Sequence, residues 1–275
     1  SILIHVRYFL LIYPINLMSI INFEKKLTEL TTKIINQSGS SHLGSCMSIK
    51  NILTVFFYKF YQNNNFFPLI LSKGHAAAIY YSALYLVKEI KKNQILSYCQ
   101  NGSIFPGHLT KNTDFKSLKF SSGSLGHGLP YSIGLAYSSK LKKGKTKYTV
   151  LISDGELNEG SNWESLLFLS HHNLNNLVII IDYNKIQSLD FVNKTLRLDP
   201  LKKKFSSFGC KVLEIDGHNY KEIFYSLKNT FDKPLVVIAN TTKGKGVSFM
   251  ENKVLWHYKP PNLDELTLGL KELNK

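Results

Sequence analysis

Five short aliphatic runs punctuate the chain: Leu69-Ile70-Leu71, Tyr148-Thr149-Val150-Leu151-Ile152, Leu177-Val178-Ile179-Ile180-Ile181, Lys211-Val212-Leu213-Glu214-Ile215 and Leu235-Val236-Val237-Ile238. A strand with one wet face alternates apolar and polar residues. Most of these runs are apolar at successive positions, so both of their faces must be covered. Between them, apolar residues recur at helical spacing over 76–91, 129–142, 163–172 and 220–230. Strands that alternate with helices and hide both faces predict an α/β fold with a doubly wound, mostly parallel sheet. Such sheets bind ligands at the carboxyl ends of their strands, which directs the search for chemistry to the residues just after each run.

Ahead of the first run, Phe23, Leu27, Leu30 and Ile34 step by four, three and four, predicting an amphipathic helix over 22–36. A polar loop is expected over 37–45. Ser48 then reads as the cap of a second helix carrying Ile49, Ile52, Leu53, Phe56, Phe57 and Phe60, ended by the polar run 62–65. Residues 1–17 are apolar but interrupted by His5, Arg7 and Pro14. They fall short of the roughly 20 apolar residues a membrane span needs, and no small-residue cleavage site follows them. Met18 stands just before the first patterned helix and is read as the natural start, which leaves 1–17 as an apolar upstream extension. No repeat, low-complexity linker or change of composition divides the rest, so 18–275 is read as one domain.

Composition narrows the function classes. With 44% hydrophobic and 19% charged residues over 275 positions, the chain is neither disordered, collagenous nor a coiled coil. A net charge of +15 raises nucleic acid as a partner, but all but Arg7 and Arg197 of the 34 basic residues are lysine. The bidentate readers of guanine edges are therefore nearly missing. Dispersed lysine reads as a solvated face or a coding bias, with anionic small substrates or an acidic partner subunit as the other readings. Cys46, Cys99 and Cys210 are too far apart in sequence for a zinc site or a secreted disulfide framework, which points to a reducing, cytoplasmic setting.

The second run is followed by Ser153-Asp154-Gly155, and the third by Asp182-Tyr183-Asn184-Lys185-Ile186. If the two strands are neighbours, each delivers an oxygen ligand, Asp154 and Asn184, at its carboxyl end, while Gly155 allows close backbone approach to an anion. Carboxylate, amide and carbonyl oxygens beside a diphosphate suit a hard cation such as Mg²⁺ or Ca²⁺. The alternative is an ordinary Asp-Gly turn.

Taken together, Asp154-Gly155 and the Asn184 about thirty residues on resemble the cofactor motif of thiamine-diphosphate enzymes, with Ser153 in place of its first glycine. The resemblance narrows to the transketolase family, and within it to the amino-terminal chain of split transketolases. Ser41-His42-Leu43-Gly44, Ser72-Lys73-Gly74-His75-Ala76, Pro106-Gly107-His108 and Gly123-Ser124-Leu125-Gly126-His127-Gly128 follow in the family's order. So do Glu156-Leu157-Asn158-Glu159-Gly160 and the segment Lys243-Gly244-Lys245-Gly246 through Met250-Glu251-Asn252. Trp256-His257 stands where the family has its Trp-His, followed by Tyr258 where glycine is usual.

The resemblance implies a thiamine-diphosphate-binding fold and a role for each matching residue. Asp154, Asn184 and the carbonyl of Ile186 would hold the metal. Gly155, His75 and His257 would lie at the diphosphate, with Gly123 and Leu125 meeting the cofactor through backbone groups. His42, His75, His108 and His257 would line the reacting centre, bonding sugar hydroxyls and relaying protons, work that suits imidazole at neutral pH. His171 and His172 read as surface residues, and His127 as either pocket or loop packing. Lys243 and Lys245 read equally as a loop closing over the diphosphate or as a solvated turn.

The implied reaction passes a two-carbon ketol unit from a ketose to an aldose, with the cofactor as electron sink. Its pyrimidine-binding domain, expected on a separate carboxyl-terminal subunit, would complete an assembly with two copies of each chain. Rival expectations are another thiamine-diphosphate enzyme, such as a deoxyxylulose-phosphate synthase or a keto-acid dehydrogenase component, and, outside enzymes, a basic nucleic-acid-binding protein.

Overall fold

The aliphatic runs form a single five-stranded sheet, all parallel, in the order β1-β2-β3-β5-β4. The strands are β1 (Leu69–Leu71), β2 (Tyr148–Ser153), β3 (Leu177–Tyr183), β4 (Lys211–Asp216) and β5 (Leu235–Asn240). The computed structural model describes residues 17–61 and 68–274. The apolar extension before Leu17 and the polar run 62–65 lie outside the described residues.

Side chains along a strand point to alternate faces, and here that alternation sorts the core into two layers. Val178 and Ile180 of β3, with Leu235, Val237 and Ala239 of β5, face one layer, built from the helices Leu17–Ser38, Ala77–Leu86 and Tyr220–Lys228. Leu177, Ile179 and Ile181, with Val236 and Ile238, face the other, built from Gly128–Leu141, Gly160–His171 and Leu201–Ser207. Both faces are thus covered and the sheet is doubly wound. β4 is the exception among the runs, with Lys211, Glu214 and Asp216 exposed, as an edge strand allows.

The chain steps from β1 to β2 to β3, then passes to the far edge for β4 and returns to fill β5 between β4 and β3. That reversal opens a crevice beyond the carboxyl ends of β2, β3 and β5, as strand-order reversals do in open parallel sheets.

Local structure departs from the sequence reading in one informative place. Ser48 does not cap a helix; it ends the short helix Leu43–Ser48, which starts inside the expected loop and is followed by Lys50–Val55 and a wide turn at Phe56–Tyr61. The Ser48 hydroxyl is turned inward, donating to Asp182 at 2.7 Å. A serine before an apolar run looks the same in sequence whether it caps a helix or serves a buried charge. Elsewhere 76–91 shortens to Ala77–Leu86, 22–36 lengthens to Leu17–Ser38, and the short helices Lys92–Leu96, Val192–Thr195 and Leu201–Ser207 lie outside the expected helical segments.

Candidate active site

The crevice is organised around two buried charges. Lys73, just past β1, and Asp182, at the end of β3, are 1% and 0% exposed and form an ion pair. Lys73 also donates to the Ser45 carbonyl at 2.9 Å and to Ser48 Oγ at 3.0 Å. Asp182 accepts in addition from Ser48, from Asn184 Nδ2 at 2.9 Å and from the Thr241 hydroxyl. Burial alone would raise this carboxyl, but the Lys73 charge and the hydroxyl donors outweigh it and hold Asp182 below the ordinary carboxylate range.

Asp154 follows β2 beside it and has no such partner. Its carboxylate accepts only from the Gly155 and Lys185 amides, at 2.7 and 2.6 Å, and forms no ion pair among the described residues. Burial, and then the negative charge of Asp182, push it up to about 7, against the pull of those amides and Lys73. A buried carboxyl left uncompensated next to a second carboxylate is a place where a cation is stabilised.

Asn184 and Ile186 lie one strand over, in the register the sequence reading required, since β2 and β3 are hydrogen-bonded neighbours. The Asn184 side-chain oxygen accepts from the Ile186 amide at 3.1 Å, fixing that turn. Ser153, standing where the motif has glycine, is accommodated as the last residue of β2, its amide donating to Glu156 at 3.3 Å. Glu156 itself is buried and accepts from Ser72 and from the Gly126 amide at 2.9 Å. It ties the 123–128 loop to the ends of β1 and β2.

Gly155 lies against Gln187: a Cβ there would sit 3.2 Å from the Gln187 side chain. The amide nitrogen of Gln187 is buried with no hydrogen-bond partner, a donor awaiting an acceptor. These groups, together with Gly123 and Leu125, line one cleft of about 310 Å³.

The four loop histidines share that cleft. His42 is their hub, its ring centroid 5.3 Å from His75, 5.8 Å from His108 and 5.1 Å from His257. His42 reaches this position in the left-handed region, φ 76°, which costs a non-glycine residue about 1–2 kcal/mol. Behind it, Gly44 meets the Trp256 carbonyl so closely that a Cβ would lie 2.8 Å from that oxygen, and the Gly44 carbonyl accepts from the Gly244 amide at 2.9 Å. The two histidine-bearing loops are therefore docked backbone to backbone.

Burial, with contributions from neighbouring His108 and the lysines, lowers His42 to about 4. Burial and Lys243 lower His257 to about 3, and burial with Lys73 pushes His75 in the same direction. These imidazoles are neutral at pH 7. Lys243 Nζ lies 2.8 Å from His257 Nδ1. Because an ammonium only donates, Nδ1 is the acceptor and the ring proton sits on Nε2.

All the expected site residues thus meet in one place, while His171 and His127 do not line the cleft. Sequence reasoning missed Lys73, Asp182 and Gln187, and left Lys243 undecided. Lys243 is 1% exposed inside the cleft, so the solvated-turn reading fails for it; Lys245, paired with Glu251 near the surface, fits that reading. A buried lysine carries no mark of its burial in sequence, although the glycines around Lys243 and the Gly74-His75 after Lys73 are cues.

The chain matches the family described as "Transketolase, thiamine diphosphate binding domain" over residues 21–272. It is 39% identical over 273 residues to an apulose-4-phosphate transketolase subunit of Actinobacillus succinogenes, covering 94% of this chain and 98% of that one. The 6-deoxy-6-sulfo-D-fructose transketolase subunit SqwG of a Clostridium species is 31% identical, with 90% and 94% covered. Human transketolase is 33% identical over 231 residues, 81% of this chain but 37% of the human one. The transketolase of Campylobacter jejuni superposes with a TM-score of 0.84 at 26% identity, covering 93% of this chain and 43% of that one.

The ion pair can be tested by stability. Lys73→Met, which strands Asp182 without its partner, is expected to cost about 3–5 kcal/mol in urea unfolding, with Lys73→Met/Asp182→Leu recovering much of that loss. A single substitution costing under about 1 kcal/mol would refute the pairing.

The histidines predict a pH dependence. A lowered imidazole contributes stability that is present above its unfolded value of 6.5 and lost as pH falls toward 4. Asp154, being raised, acts in the opposite sense over the same window, so His42→Gln is compared with the parent chain. Between pH 7 and 5 the variant should lose stability less steeply, by about one proton at pH 5. Equal slopes would contradict a neutral, buried His42.

Proposed function

Because this chain belongs to the transketolase family, in its thiamine diphosphate binding domain, we propose that it is the diphosphate-holding subunit of a two-chain transketolase. The enzyme moves a two-carbon ketol unit from a ketose or ketose phosphate to an aldose or aldose phosphate. The observation that carries this reading is the convergence of four imidazoles, Asp154, Asn184 and Ile186 on one cleft at the carboxyl ends of the strands.

The residues present fit a cation and a diphosphate. Asp154 offers the uncompensated charge; Asn184 and the Ile186 carbonyl offer neutral oxygens, a donor set for Mg²⁺ or Ca²⁺. Gly155, the unpartnered Gln187 amide, His75, His257 and Lys243, which line the same cleft, would hold the diphosphate, and Gly123 and Leu125 would meet the cofactor through backbone groups. When bound, thiamine diphosphate supplies the electron sink for breaking a carbon–carbon bond beside a carbonyl.

The chain's own part is orientation and proton traffic. Neutral His42 and His75 can each donate at one nitrogen and accept at the other, so they bind sugar hydroxyls in either sense and orient them for proton transfer. His257 presents Nε2–H, fixed by Lys243 at its other nitrogen. His108 lines the cleft and is exposed, so it would meet the incoming sugar.

The partner is a carboxyl-terminal subunit carrying the pyrimidine-binding domain, in an assembly with two copies of each chain. Two relatives covered over nine-tenths of their length are named as subunits. Leu189, beside cleft residue Ser188, and Leu255, two positions before cleft residue His257, stand exposed, apolar surface suited to a protein cover. No helix among the described residues is long and apolar enough to cross a membrane. We place the enzyme in the cytoplasm, with sugars rather than nucleic acid or membrane as its partners beyond the second subunit.

Titration calorimetry with thiamine diphosphate and Mg²⁺ tests the cation site. Asp154→Ala is expected to weaken cofactor binding about 100-fold or more, and Asn184→Ala less. His108→Ala should keep cofactor affinity within about twofold while turnover with a ketose donor drops about 100-fold. Unchanged affinity in Asp154→Ala, or unchanged turnover in His108→Ala, refutes the respective assignment.

Co-expression with a carboxyl-terminal transketolase chain, followed by size-exclusion chromatography and a ketol-transfer assay, tests the partner. Transfer is expected only from the complex. Robust transfer by the purified chain alone would overturn the two-chain reading.

A further inference from the structure

The cleft holds one aromatic side chain, Tyr258, that neither a cation nor a diphosphate requires. It follows the short turn Val254–His257. Its ring centroid lies 4.7 Å from that of His257 and 5.8 Å from that of His42. It is 57% exposed, and its hydroxyl has no hydrogen-bond partner among the described residues.

Exposure along the cleft lining gives this position meaning. Asp154 and Asn184 are buried, His42, His75 and His257 are half-buried, and His108 and Tyr258 are exposed, so exposure of the lining rises from the carboxylate toward Tyr258. A sugar whose reacting carbons lie among the imidazoles comes within reach of Tyr258, whose ring packs on two of them and is the exposed end of the lining beside His257. A glycine there leaves the space beside His257 open; a phenol ring narrows it. The ring offers an apolar face to sugar C–H groups, and the free hydroxyl offers a donor and an acceptor to sugar hydroxyls.

On the ketol-transfer reading of this site, we propose that Tyr258 is a specificity-determining residue that narrows the mouth of the cleft and favours short aldehyde acceptors over long ones. Added or removed volume in a binding path changes discrimination about 10- to 200-fold.

The test uses the two-subunit enzyme with thiamine diphosphate and Mg²⁺, hydroxypyruvate as donor, and two neutral acceptors of different length, glycolaldehyde and D-erythrose. The readout is the ratio of kcat/KM for erythrose over glycolaldehyde. Tyr258→Gly is expected to raise that ratio about tenfold or more, with cofactor affinity and Tm unchanged. Tyr258→Phe, which keeps the ring, is expected to keep the parent ratio within about threefold while raising KM for both acceptors. A ratio in Tyr258→Gly within about twofold of the parent enzyme overturns the proposal, as does a Tyr258→Phe ratio equal to that of Tyr258→Gly. Failure of the underlying reading looks different: the parent enzyme transfers to neither acceptor, and both fall together.

Discussion

A lysine and an aspartate without access to water meet at the end of β3, and neither charge could be buried there without the other. Their pairing needs supporting donors and acceptors, and those come from separate parts of the chain. Ser45 and Ser48 come from the helix behind the His42 loop, Asn184 from the turn after β3, and Thr241 from the end of β5. The network therefore fixes the relative positions of the segments that carry His42, His75, Asn184 and Lys243. It also fixes a negative charge beside Asp154. One carboxylate in the crevice is paired within the chain and the other has no ion-pair partner among the described residues, which is the contrast that supports the proposed cation site.

A second network supports the 241–246 segment from its far side. The Thr242 amide donates to His218 Nε2 at 2.9 Å, and His218 Nδ1 lies 2.7 Å from the Asn51 side-chain oxygen. Asn51 in turn donates to Glu24 of the Leu17–Ser38 helix at 2.6 Å. Lys243 is thus held between a buried helix and the cleft, and burial lowers it to about 8. Its charge, close to the imidazoles, helps to keep them neutral. A neutral imidazole carries one donor and one acceptor nitrogen, which is what the proposed contacts to sugar hydroxyls use.

The strands and the position of the site were legible because they rest on chemistry that sequence displays directly. Runs apolar at successive positions have few alternatives to a covered parallel sheet, and Asp154 and Asn184 fall just past the ends of two of them. The rest depends on long-range packing. Lys73, Lys243 and Asp182 are charged residues whose burial exists only because distant segments close around them, and apart from the glycines beside the two lysines nothing local marks them off from surface residues. Ser48 misleads for the same reason: its partner is Asp182, 134 positions away. Gln187 shows itself only through an unpartnered amide that requires coordinates to see.

The central claim is that the crevice is built for a divalent cation and a diphosphate together, each stabilising the site for the other. Thermal unfolding of the chain with its carboxyl-terminal partner, with thiamine diphosphate, with Mg²⁺, with both, and with both plus EDTA tests it most directly. Ligand that binds only the folded state at about 100 times its Kd adds about 2.7 kcal/mol, a rise in Tm of a few degrees. The account predicts that rise with both ligands present and its loss on adding EDTA. No shift with both present, or one that EDTA leaves intact, would contradict it.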